Sequence, residues 1–336
     1  AVHSLGAAFN QEFSLVGGAG TDNVTIHNNL STALLNVQAE TTEIRGVNLI
    51  TSGGNMSFGG NVTLSTGNVS LNTNGGNLQI DGGISGARNL TLAAGIGSGT
   101  TTVAGPVTNL GTGTGAALTV NPGIVGLVYF QSSFSANSGI QSPGAGSNLR
   151  FNGDITLADA NVGTTLAGTV QFDGLNFSGY DGLVFGAVIL SGSAVSVSSN
   201  NSSISVGGTI NGPQNLSLTA GSGSVQIAAP VGNLSTIGSF TITSTSTVQI
   251  ATGANVFTNG VVAVTANGGL SLGGSITTSN DSVTLNADTV LTSGISIETG
   301  WPSMAASASI PPTPQPSTPR PLIIVVWESV PTSVSG

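Results

Sequence analysis

The chain has 336 residues, 51 of them glycine; 5% are charged, 4% aromatic and 38% hydrophobic, and the formal net charge is −9. An ordinary globular domain is about 25% charged, so the clustered cations that neutralise phosphates are missing, which excludes nucleic acid and a docking face for anionic membrane. No apolar run reaches the ~20 residues of a membrane-spanning helix, cysteine is absent, and the apolar content is too high for a disordered chain.

Residues 1–50 hold a large share of the charge, in Glu12, Asp22, Glu40, Glu43 and Arg45. They are expected to form an N-terminal cap with the first coils of a repeat structure, because solenoid ends need polar protection. The chain starts at Ala1 without methionine, as expected of an exported protein after its leader is removed and equally of a chain trimmed at its start. Gly17–Gly18–Ala19–Gly20–Thr21–Asp22 is one copy of a calcium-binding nonapeptide pattern. That pattern shares each ion between tandem turns, so a single copy reads as a glycine-rich turn, and no metal or other cofactor is expected.

Residues 51–300 form the repetitive body. Ile80–Asp81–Gly82–Gly83–Ile84–Ser85–Gly86 runs into Asn89–Leu90–Thr91–Leu92–Ala93–Ala94–Gly95. Val206–Gly207–Gly208–Thr209–Ile210–Asn211–Gly212 runs likewise into Asn215–Leu216–Ser217–Leu218–Thr219–Ala220–Gly221. Met56–Ser57–Phe58–Gly59–Gly60 is matched by Leu270–Ser271–Leu272–Gly273–Gly274. The step from Met56 to Leu78 fits into the step from Ile204 to Leu270 three times. Alternation at period two sends one side of each strand inward, and the glycine pairs are expected to turn the chain at positive φ. A period of about 22 residues accommodates three short strands and three turns, one coil of a parallel β-helix whose stacked coils pair strand on strand. Leu78, Ile80, Ile84, Leu90 and Leu92 should therefore point inward, as should Ile204, Val206, Ile210, Leu216 and Leu218. The stretch near 111–190 is less regular.

Residues 301–321 are a linker rich in Pro, Ser and Thr, with Pro311–Pro312–Thr313–Pro314–Gln315–Pro316 at its centre, a semi-rigid polyproline composition. Residues 322–336 begin with Leu322–Ile323–Ile324–Val325–Val326–Trp327, a strand apolar on both faces. Such a strand must be buried between layers, either against its own last coil or on a neighbouring subunit by strand addition.

Candidate chemistry is sparse. Asp154, Asp159, Asp173 and Asp181 are the nearest approach to an acidic group, and isolated turn aspartates are their plain interpretation. His3 and His27 lie far from them, and abundant serine makes no Ser–His–Asp set. Thr100–Thr101–Thr102 and Thr241–Ile242–Thr243–Ser244–Thr245 raise the idea of an ice-binding threonine ladder. They do not recur once per coil, and threonine is an ordinary outward strand residue. The sequons at Asn61, Asn68, Asn89 and Asn215 follow from composition.

The Leu–Thr–Leu–Ala–Ala–Gly units (Leu90–Gly95) and Pro–Val–x–Asn–Leu units (Pro106–Leu110, Pro230–Leu234) resemble the repeats of filamentous-haemagglutinin-like and autotransporter-type bacterial surface proteins over roughly residues 50–300. The resemblance implies a right-handed parallel β-helix used in adhesion, biofilm matrix or surface fibres. Asn121–Pro122–Gly123–Ile124 only partly matches the asparagine–proline–asparagine–glycine motif of the two-partner secretion group. The expected protein is all-β, secreted and non-enzymatic: a structural or adhesive subunit of an extracellular homopolymer, with a host or glycan surface as a further partner. The competing expectation is a carbohydrate-active β-helix enzyme or glycan-binding module.

Overall fold

A computed structural model describes residues 11–93, 98–121, 126–158, 162–300 and 308–309. The described residues are all-β without a helix, in parallel strands stacked as a β-solenoid of about 13 turns. The chain forms two compact units, residues 1–189 and 190–336.

In the first unit, strand after strand pairs in parallel with the strand one coil on. Glu12–Val16 pairs with Leu34–Gln38, which pairs with Met56–Phe58, which pairs with Leu78–Ile80. Residues 12–50 are thus already coiled, and residues 1–10, the rest of the expected cap region 1–50 apart from Gln11, lie outside the described residues. Inward positions align into columns, such as Val37, Phe58, Ile80, Val103, Phe130, Phe151 and Phe172. All seven side chains are buried. The stretch near 111–190 keeps the parallel stacking, but its coils are unequal in length and the register shifts between Val107 and Leu110. Phenylalanines fill its interior. Phe130 stacks on Phe151 at 5.1 Å, and Phe134 meets Phe130 edge-on at 5.2 Å.

In the second unit, Ile204 pairs with Val225, Val225 with Val248, and Val248 with Leu270. No two of these steps are equal in length, so the spacing from Ile204 to Leu270 is three unequal coils. All ten residues expected to face inward are buried, the five from Leu78 to Leu92 and the five from Ile204 to Leu218. At the far end the parallel ladder changes direction: Ser296–Thr299 pairs antiparallel with Ala308–Ser309.

Glycine pairs elsewhere do turn the chain at positive φ, as at Gly53, Gly75 and Gly269, but those of the repeat unit work differently from expectation. Gly82, Gly83, Gly273 and Gly274 do not have positive φ. They are needed because neighbouring coils pass so close: a Cβ on Gly83 would strike the Pro106 carbonyl, and one on Gly274 the Ala254 carbonyl. Positive φ belongs to the single glycine that follows, Gly86 at +119° and Gly212 at +121°, and both also lie against a carbonyl one coil back.

Candidate functional surface

Because inward positions are apolar apart from buried threonines and serines, candidate chemistry lies on outward positions and turns, and coil stacking decides which of these become neighbours. Asparagine is the commonest turn device. Its side-chain oxygen accepts a backbone N–H one coil on: Asn55 from Asn77 at 3.0 Å, Asn77 from Thr100 at 2.9 Å, and Asn215 from Ser239 at 2.7 Å. The sequon residues Asn61, Asn68 and Asn89 do the same, from Gly83, Asn89 and Thr112. Composition had concealed this role, although an Asn immediately before an apolar strand is its signature.

The acidic residues separate. Asp154 accepts the Asn176 N–H at 2.8 Å, a turn role. Asp181 sits at φ +58° in a turn. Asp159, His3, Pro122–Gly123–Ile124 and the strand Leu322–Trp327 with its linker lie outside the described residues. Asp22 and Glu40 come together, the Asp22 N–H donating to the Glu40 carboxylate at 2.6 Å. That bond lowers the Glu40 pKa. The coil above the Gly17–Asp22 turn presents Gln38–Ala39–Glu40 where a tandem nonapeptide would be needed, and among the described residues no three His, Cys, Asp or Glu group as metal ligands do. His27 lines a hollow of about 220 Å³ over the first coil, together with Phe13, Leu15 and Val24.

The threonine rows require a correction. Thr219, Thr243 and Thr265 do align in three successive coils. Unequal coil lengths hide that recurrence in the sequence. Ser198 precedes the row by one coil and Asn286 follows it by one. Thr101 is buried inside, so Thr100–Thr102 is not an outward ladder.

Among the described residues, two outward ion pairs form. Glu43 accepts hydrogen bonds from Arg45 at 2.9 Å, Ser65 at 2.6 Å and Thr25 at 3.5 Å. Chiefly through Arg45 and then Ser65, its pKa falls to about 2. The second cluster is richer. Tyr129, Arg150 and Gln171 stand side by side on the strands Leu127–Phe130, Asn148–Phe151 and Thr164–Asp173. The Arg150 guanidinium lies 4.7 Å over the Tyr129 ring and donates through Nε to Asp173 at 2.5 Å. Gln171 donates to the other Asp173 oxygen at 2.9 Å, and Asn152 donates to the Tyr129 hydroxyl at 2.5 Å. The bond to Asp173 raises the Arg150 pKa. Reading the aspartates alone missed this site, whose members lie a full coil apart in sequence and meet only when coils stack.

No family model, curated protein or solved structure matches the chain.

Proposed function

We propose that the protein is a secreted structural or adhesive element of a cell surface or extracellular fibre, assembled through non-covalent subunit contacts. The observation that supports this reading is the repetition itself. Coil after coil offers outward rows of Ser, Thr, Asn and Gln over an apolar interior, as in Ser14, Asn36, Ser57, Gln79 and Thr102. A surface of this kind suits extended contact more than it suits turnover at one point. In this reading Leu322–Trp327 is the subunit joint, a strand apolar on both faces carried on a proline-rich tether. The test deletes residues 311–336 and compares assemblies by electron microscopy and sedimentation. Loss of filaments supports the joint; unchanged filaments, or a full-length protein that stays monomeric at high concentration, overturn it.

The Tyr129–Arg150–Asp173 cluster favours a second reading, a glycan-binding module, over a polysaccharide-cleaving enzyme. Its single carboxylate is held by two donors, whereas hydrolysis of a glycosidic bond canonically uses a pair of carboxyl groups.

A further inference from the structure

We propose that the outward row centred on Arg150 binds a neutral, linear polysaccharide laid across successive coils. The inference rests on the adhesive reading above and names what the surface adheres to.

The argument starts from scarcity. The whole chain has four basic residues and two tyrosines, yet Arg150 and Tyr129 share one spot with Asp173, Gln171 and Asn152. With the guanidinium open to water the pair is screened and adds little to stability, so stability alone gives no reason to gather them there. The cluster is also rigid. Tyr129 supports the guanidinium from beneath, Asp173 fixes its Nε, and Asn152 anchors the tyrosine hydroxyl. Asp173 is only 10% exposed while Arg150 keeps 36%, so the carboxylate acts as the anchor and the guanidinium faces water. Its two terminal nitrogens have no partner among the described residues. They form a planar fork aimed outward, with its rotamer already ordered.

The chemistry of the row selects the ligand. Arg150 supplies donors, Asp173 is taken up in holding it, and the neighbouring amides of Gln171 and Asn152 carry both donor and acceptor groups. A sugar hydroxyl is likewise donor and acceptor at once, so adjacent hydroxyls of one ring can be satisfied by such a set. An acidic glycan fits worse. Asp173 already neutralises Arg150, and the net charge of −9 repels a polyanion. Pitch points the same way. Stacked strands repeat every ~4.8 Å, close to the length of one pyranose in an extended chain. The row continues from Arg150 through Tyr129 to Thr102 and Gln79, placing polar contacts at intervals of one sugar. Arg150 is the binding residue here, and Tyr129 positions it.

The test is affinity electrophoresis of the full chain through gels containing linear glucan, mannan, xylan or galactan, with polygalacturonate and a sulfated glycan for comparison. At least one neutral polymer should retard the protein. Arg150→Ala should weaken that retardation about tenfold or more, the loss of one or two charge-assisted bonds. Arg150→Lys, which keeps the charge without the fork, should lose most of it too, and Gln171→Ala a lesser part. Thr91→Ala, in a different outward row, should change nothing. Circular dichroism checks that each variant keeps its β-structure; if Arg150→Ala does not fold, Arg150→Lys and Gln171→Ala decide. The proposal is overturned if no neutral polymer retards the protein, if only the acidic ones do, or if the folded Arg150 variants match wild type. Filaments scored in parallel separate the two ideas: filaments without glycan binding refute this inference alone, and glycan binding without filaments refutes only the polymer reading.

Discussion

Thr42 shows how strictly the interior is specified. It occupies an inward position in line with Val24 and Val62, and its hydroxyl is buried without a hydrogen-bond partner. An orphaned polar atom of this kind costs about 1–3 kcal/mol. Thr42→Val, equal in shape, should therefore raise stability by about 1 kcal/mol or more, seen as a higher urea midpoint with an unchanged slope. Glu43 gives a pH signature at the same scale. Its folded pKa, about 2, lies below the ordinary carboxylate value of 4.5 because Arg45 and Ser65 bind the charged form. The stabilisation is therefore complete above pH 4.5 and is lost as the pH falls through about 2. Urea midpoints measured across that window should decline less in Glu43→Gln than in wild type; equal declines would refute the role given to Arg45 and Ser65.

At the scale of the element, each strand is too short to stand alone and depends on the coils beside it. The phenylalanine column makes this concrete. Phe151 is fully buried between Phe130 and Phe172, so Phe151→Ala should cost about 3–5 kcal/mol through lost contacts and the cavity left behind. Tyr129→Ala, one step away on the outer face, should cost far less, and thermal melts of the two variants make the comparison. Inward and outward positions were legible in the sequence because period-two alternation survives within each strand: Leu90–Thr91–Leu92 and Leu216–Ser217–Leu218 read correctly from their letters. What was illegible is whatever depends on which residues stack. Arg150 and Asp173, and the row of Thr219, Thr243 and Thr265, sit at separations that vary from coil to coil, so no fixed period reveals them. The glycine pairs at Gly82–Gly83 and Gly273–Gly274 were recognised but given the wrong cause, since a carbonyl arriving from a neighbouring coil leaves no trace near Gly83 in the sequence.

For the whole molecule, scarcity of charge has a direct proteolytic consequence. Lysine is absent and the four arginines are Arg45, Arg88, Arg150 and Arg320. Arg45 and Arg150 lie in paired strands and are held by carboxylates. Arg320 precedes Pro321, a bond that trypsin does not accept. The side chain of Arg88, between strands, has only a neighbouring carbonyl as partner among the described residues. Limited trypsin digestion should cut first after Arg88, leaving fragments identifiable by mass; early cleavage after Arg150 would show that its coil opens as easily as a turn.

The unequal steps between coils carry one more implication. Thr25 reaches its partner Glu43 in a short step, whereas Thr102 reaches Tyr129 only after half as many positions again, yet both pairs sit in register. Distance along the stack is set by backbone bonding and not by counting residues, so turns can gain or lose residues while every row stays in place. Descent then erodes alignment faster than architecture. Two such proteins can keep the same grid of side chains long after their letters have ceased to correspond, and kinship in this class is better sought in the rows than in the string.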